Sequence, residues 1–152
     1  MLFDTGTIQG EISFNPNLIY RDDLRGAWVN GLSARTVLIV EDEWLVRMEL
    51  ATGFEDENCA VLESASAEDA LAILRASDRD SRVDLLVTDI RLSGVLTGWD
   101  LAAQAREFDP EIPVIYVSAN PPMPGRVVPG SLFLDKPALI TQVIGAARQL
   151  LG

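Results

Sequence analysis

Thr36-Val37-Leu38-Ile39-Val40-Glu41-Asp42-Glu43 decides how this chain reads. A short apolar, β-branched run is what a strand buried on both faces requires. This one stops abruptly at three acids. The shape recurs downstream: Asp84-Leu85-Leu86-Val87-Thr88 stops at Asp89, Val114-Ile115-Tyr116-Val117 at Ser118, and Leu132-Phe133-Leu134 at Asp135-Lys136-Pro137. Ala60-Val61-Leu62-Glu63 reads as one more strand.

The stretches between these runs carry helical spacing. One helix is expected from the acidic trio to about Asp56, with Leu45, Met48 and Thr52 on its stripe. Ser66 and Asp69 form a capping box with the shorter acid and open a second helix, with Ala70, Leu71 and Leu74 on one face. The loop Ser93 to Gly98 leads into a third, carrying Leu101, Ala105 and Phe108 and stopped near Asp109-Pro110. The last, about Leu139 to Leu150, aligns Ile140, Val143, Ile144, Ala147 and Leu151. Strands alternating with helices at these lengths imply βαβ units and a parallel sheet covered on both faces. One crossover departs from this. Pro121, Pro122, Pro124 and Pro129 crowd residues 119–132, so a loop or one short turn of helix is expected there.

Composition narrows the chemistry. The 152 residues are 48% hydrophobic and 23% charged, as in a folded globular chain with one core. The net charge of −11 disfavours nucleic acid or an anionic membrane as a partner. No apolar run has the length of a membrane span, and Met1 to Gly10 lack the features of a signal peptide. Without histidine there is no Ser-His-Asp triad and no His-ligated zinc. Cys59 is the single cysteine, which excludes an internal disulfide or a CxxC site and points to the cytoplasm; it reads as a small buried filler. Residues 1–35 carry only −1 of the net charge, and residues 1–33 lack a clear period. They are expected to be an arm or tail, in which Glu11–Tyr20 can pair as a strand or hairpin around Asn15-Pro16-Asn17. Residues 34–152 form the domain proper.

In an open parallel sheet, ligands bind outside the carboxyl ends of the strands. Glu41, Asp42 and Glu43, then Asp89, then Ser118 with Ala119 and Asn120, and finally Lys136 stand at those ends. Two carboxylates 4 Å apart repel by roughly 4 kcal/mol at an effective dielectric near 20. Glu41, Asp42 and Asp89 together therefore call for a cation, and an all-oxygen set suits Mg²⁺. A carboxylate beside Mg²⁺ can attack phosphorus and become an aspartyl-phosphate. Lys136 and the Ser118 hydroxyl would hold phosphoryl oxygens. Lys136 is the only lysine among twelve basic residues, and it falls at a strand end. Glu43 reads as an ordinary acid of a helix N-terminus. Trp44 reads as a half-exposed packing residue, the alternative being a reporter or lid at the pocket rim.

Val-Leu-Ile-Val-Glu-Asp-Glu, Asp-Leu-Leu-Val-Thr-Asp-Ile-Arg-Leu, Val-Ile-Tyr-Val-Ser-Ala and Phe-Leu-Asp-Lys-Pro, in this order from Thr36 onward, resemble the receiver domain of two-component response regulators. The resemblance implies a flavodoxin-like, doubly wound, five-stranded parallel sheet of order 2-1-3-4-5. It makes Asp89 the phospho-acceptor and gives Mg²⁺ to Asp42 and Asp89, to Glu41 through water, and to the Arg91 backbone carbonyl. It makes Ser118 the switch hydroxyl, Phe133 the switch aromatic and Lys136 the phosphoryl-contacting lysine, with the Lys136–Pro137 bond often cis. Three departures stand out: Ser93 in place of a common proline in a slightly long loop, Glu41 in place of the commoner aspartate, and the proline-rich 119–132 stretch in place of a fourth helix.

The chain ends just after the last helix, so the expectation is a single-domain response regulator of a phosphorelay. It would accept phosphate on Asp89 from a sensor histidine kinase or phosphotransfer protein and signal by a conformational switch to a downstream protein, as a monomer or weak dimer. It would be a phospho-acceptor with Mg²⁺-dependent self-phosphorylation and autodephosphorylation, not a turnover enzyme. Arg91 and Asn120 would overhang the phosphoryl group, with Arg91 slowing its loss. The alternative is a phosphorylation-independent adaptor with the same fold. A phosphohydrolase of the haloacid dehalogenase class wants Asp-x-Asp after the first strand, where this chain has Glu41-Asp42-Glu43.

Overall fold

The computed structural model describes residues 31–152 throughout and, before them, the backbone of two short strands, β1 (Leu18–Tyr20) and β2 (Trp28–Asn30). These pair antiparallel, Leu18 opposite Asn30. The partner of Leu18–Tyr20 therefore follows it in sequence, and the turn expected at Asn15-Pro16-Asn17 lies outside the described residues. The chain divides between Gly31 and Leu32 into two units.

The second unit runs β3 (Thr36–Val40), α1 (Trp44–Glu55), β4 (Ala60–Ser64), α2 (Ala67–Ala76), β5 (Leu85–Thr88), α3 (Gly98–Phe108), β6 (Val114–Ser118), β7 (Leu132–Asp135), α4 (Ile140–Leu151). All neighbouring strands are parallel, in the order β4-β3-β5-β6-β7. This is the expected 2-1-3-4-5 arrangement. Side chains alternate across a strand, and here the alternation sorts two cores. Leu38, Val40, Leu86, Val114 and Tyr116 face α2 and α3, where Ala70, Leu71, Leu74, Leu101 and Ala105 pack on them. Val37, Ile39, Leu85, Val87, Ile115 and Val117 face α1 and α4, which contribute Leu50, Ala51, Phe54, Val143, Ile144 and Ala147. Each of these valines, leucines, isoleucines and the phenylalanine, fully buried, is worth about 1.5–3 kcal/mol. Leu32 is buried in the second of these cores, and its carbonyl accepts from the Cys59 thiol at 3.2 Å.

Two stripes differ from their sequence reading. In α1 the buried residues are Leu50, Ala51 and Phe54, while Leu45 and Met48 face solvent. Apolar residues occur nearly all round this helix, so spacing alone does not select the inward face. In α3, Phe108 is 49% exposed and lies under the Arg75 guanidinium, 5.7 Å from its ring centre, at the end of the helix beyond the core.

The helix starts are chemically clear. Ser66 Oγ accepts from the Asp69 amide, without the reciprocal bond of a full box. Thr97 and Asp100 make the complete reciprocal box at α3. Residues 119–131 contain no helix, as the prolines require, and turn through Gly125 and Gly130 at positive φ. Side-chain contacts help to hold this loop. The Val128 amide donates to the Tyr116 hydroxyl at 3.3 Å, Ser131 Oγ donates to the Val128 carbonyl at 2.6 Å, and Arg126 pairs with Asp100 on α3 at 2.8 Å. No helix among the described residues is long and apolar enough to cross a membrane.

Candidate functional site

The parallel sheet delivers the strand-end residues to one edge. Asp89 follows β5, and its amide donates to the Val40 carbonyl of β3 at 3.0 Å. Glu41 follows β3, tied by its amide to the Ser64 carbonyl at 3.0 Å. Lys136 follows β7, its amide bonded to the Ser118 carbonyl at 2.9 Å, and the Lys136–Pro137 bond is cis. Carboxylate oxygens of Glu41, Asp42 and Asp89 lie within 4.8 Å of one another. Glu41 is 1% exposed and Asp89 8%, while Asp42 is exposed at the mouth.

Lys136 Nζ joins the buried pair, 2.9 Å from Glu41 Oε1 and 2.8 Å from Asp89 Oδ2. Asp89 Oδ1 accepts from the Ile90 amide at 2.6 Å. Glu41 Oε2 accepts from the Glu43 amide at 3.1 Å. Burial lifts the Glu41 carboxyl above its ordinary range; the Lys136 and Glu43 hydrogen bonds draw it partly back, and the Asp89 charge pushes it up. Burial alone would lower the hold of Lys136 on its proton, but hydrogen bonds to Asp89 and Glu41 outweigh it and keep the ammonium charged. The donor set is hard, anionic and oxygen-only, the chemistry Mg²⁺ selects. The acids also number more than one ammonium neutralises, so the residues present fit that ion.

Ser118 is fully buried, and its hydroxyl oxygen accepts from the Asn120 amide at 3.1 Å. Phe133 stacks beside Trp99 at 6.1 Å and Tyr116 at 6.0 Å between ring centres, with Trp99 and Tyr116 4.9 Å apart. Arg91 is exposed and Asn120 half-buried. Trp44 is 61% exposed, at the first turn of α1 beside the acids.

Several contacts escape a reading by strand ends alone. Glu43 is more than a helix-start acid: its carboxylate lies 3.7 Å from Lys136 Nζ. Arg47, one turn into α1, donates to the Glu41 carbonyl at 2.6 Å and pairs with Glu63 at 3.3 Å, contacts that no spacing in the sequence signals. Thr88 Oγ1 donates to the Asp89 carbonyl at 2.7 Å. Gly98 lies so close to the Asp89 carbonyl that no side chain fits, and its amide donates to the Ile90 carbonyl at 2.8 Å.

The model of the response regulator receiver domain matches residues 37–128. The chain belongs to that family. A receiver protein from Sinorhizobium medicae is 33% identical, superimposes with a TM-score of 0.73, and the match covers 79% of this chain and 96% of that one. The receiver domain of the hybrid histidine kinase CckA is 31% identical with a TM-score of 0.67, over 77% of this chain and 99% of that one. Among curated proteins, a probable transcriptional regulatory protein of Picosynechococcus is 30% identical over 122 residues, 76% of this chain and 48% of that protein. The sensor kinase CckA of Brucella abortus is 31% identical over 120 residues, 76% of this chain and 12% of the kinase. The chain thus spans about half or less of the curated relatives it matches. As a receiver it is a phospho-acceptor signalling domain of two-component systems.

Proposed function

We propose that this receiver acts as a response-regulator module of a phosphorelay in the cytoplasm, monomeric or weakly dimeric. It takes a phosphoryl group on Asp89 from the phosphohistidine of a sensor histidine kinase or phosphotransfer protein and passes a conformational signal to a partner protein. The observation that carries this reading is the single lysine bridging two buried carboxylates at the sheet edge. A half-buried cation that makes both contacts is poised to follow Asp89 from carboxylate to acyl phosphate.

Asp42 and Asp89 would hold Mg²⁺ directly, Glu41 through water, and the Arg91 carbonyl would complete the protein's share. The ion supplies neutralisation of the phosphoryl charge. The chain's own residues do the rest. The Ile90 amide and Lys136 fix the Asp89 carboxylate in place. An Asp89 oxygen attacks phosphorus, the O–P bond forms as the N–P bond to histidine breaks, and the imidazole nitrogen keeps the electron pair. Lys136 then pairs with a phosphoryl oxygen. The Ser118 hydroxyl turns to the phosphoryl group and gives up the Asn120 amide, and Phe133 shifts with it against Trp99 and Tyr116. The same Tyr116 holds the Val128 amide. The helix-free loop 119–131 is therefore the element to which the switch transmits, as one packed aromatic unit moving between two arrangements. Arg91, exposed two residues beyond Asp89, slows the approach of water to the acyl phosphate.

A test is transfer from a radiolabelled histidine phosphotransfer domain to the full chain. Label is expected on the wild type and not on Asp89→Asn. Equal labelling of both overturns the assignment.

A further inference from the structure

The loop between Asp89 and α3 carries the Arg91 carbonyl, and its tip has little to hold it. Arg91, Ser93, Gly94 and Val95 are exposed, Val95 by 89%; Leu92 and Leu96 pack only partly against the core. What holds the tip comes from the start of α2. Glu68, the second residue of that helix, reaches across with one carboxylate oxygen, which accepts from the Val95 amide at 2.9 Å and the Leu96 amide at 3.1 Å. Ser93 Oγ donates to the Ala65 carbonyl at 2.8 Å, and Ser93 pairs as an isolated parallel bridge with Ser66. Gly94 adopts φ +94, which strains any L side chain, and a Cβ there would lie 2.5 Å from Glu68 Oε1 and push this carboxylate aside. The two amide bonds hold the Glu68 carboxyl below its ordinary range. At its other end the loop is closed by the Gly98 amide on the Ile90 carbonyl.

We propose that Glu68 is a positioning residue that clamps the loop after Asp89 through the Val95 and Leu96 amides and so fixes the Arg91 carbonyl for divalent-cation binding. The inference rests on the metal site described above. It differs from the plain alternative, an acid placed at a helix N-terminus for its favourable dipole. That alternative depends on charge, whereas the clamp depends on an acceptor oxygen, which glutamine retains and alanine lacks.

The experiment is Mg²⁺ titration by calorimetry of the full chain, with hydrogen exchange of the Val95 and Leu96 amides, on wild type, Glu68→Ala, Glu68→Gln and Asp42→Asn. Support around a metal site is worth about tenfold in affinity at the low end, so Glu68→Ala is expected to bind about tenfold more weakly and Glu68→Gln within about twofold of wild type. Exchange of the two amides should accelerate in Glu68→Ala alone. Equal weakening in both variants without faster exchange, or faster exchange with unchanged affinity, overturns the clamp. In either case Asp42→Asn still loses binding and the site reading stands. Wild type that binds no better than Asp42→Asn removes the site reading and the clamp with it.

Discussion

Replacing Lys136 by methionine isolates the electrostatics of the site. The ammonium lies 2.9 Å from Glu41 and 2.8 Å from Asp89, and its side chain is 18% exposed. Coulomb's law at an effective dielectric near 20 gives roughly 6 kcal/mol for each contact, most of it returned as desolvation. Removing the cation leaves two buried acids facing each other. The net loss should be about 3–5 kcal/mol at neutral pH without metal, a fall of roughly 10–20 °C in Tm for a domain of this size. The loss should also depend on pH. Glu41 already has a raised carboxyl, so between its ordinary value of 4.5 and its folded value the native state holds a proton that the unfolded state lacks. Stability therefore falls as pH rises through that window. Lys136 is one of the groups drawing Glu41 down, so Lys136→Met raises Glu41 further and steepens the fall. The assay is thermal unfolding of wild type and Lys136→Met from about pH 5 to about pH 8, with and without Mg²⁺. The gap between the two proteins should be widest at the alkaline end and should shrink on acidification or with Mg²⁺, which replaces the missing positive charge. A gap indifferent to both pH and Mg²⁺ would mean that lost packing, not uncompensated charge, explains the change.

Gly98→Ala should lose about 3 kcal/mol or fail to fold, because its Cβ meets the Asp89 carbonyl, which belongs to backbone and cannot yield; urea unfolding within about 0.5 kcal/mol of wild type refutes the close approach. Tyr116→Phe should cost about 1–2 kcal/mol by leaving the Val128 amide without its acceptor and should speed hydrogen exchange at Val128; unaltered exchange there removes the hydroxyl from the account of the loop. Burial pushes the Cys59 thiol up to about 11, so it should resist a thiol reagent at mildly alkaline pH until the chain unfolds; reaction at the rate of a free thiol contradicts its packing beside Leu32.

Strand ends were the legible part of this sequence. Each buried strand has one place where an apolar run gives way to a polar residue, and a parallel sheet aligns those places at one edge. Lys136 and Glu41, 95 residues apart, could be assigned to one edge without coordinates for that reason, although the ion pair between them is visible only in the structure. The prolines of 119–132 were equally legible, because they remove backbone donors wherever they fall. The face of α1 was not. With Leu45, Val46, Met48, Leu50, Ala51 and Phe54 distributed round the helix, the phase is set by how β3 hands the chain over at Glu41–Glu43, which is a tertiary fact. Phe108 has the correct spacing but sits past the end of the core it would join. Glu68 looks like any first-turn acid, and its bonds to Val95 and Leu96 exist only because the loop after Asp89 returns to α2.

The central claim is that Asp89 accepts phosphate with the help of a cation held by its neighbours. Intact mass of the full chain after incubation with acetyl phosphate tests it most directly, with and without Mg²⁺, on wild type and Asp89→Asn. The account predicts one phosphoryl adduct that requires both Asp89 and Mg²⁺. An adduct on Asp89→Asn, or none on wild type under any condition, contradicts it and shifts weight to a receiver fold that binds its partner without phosphorylation.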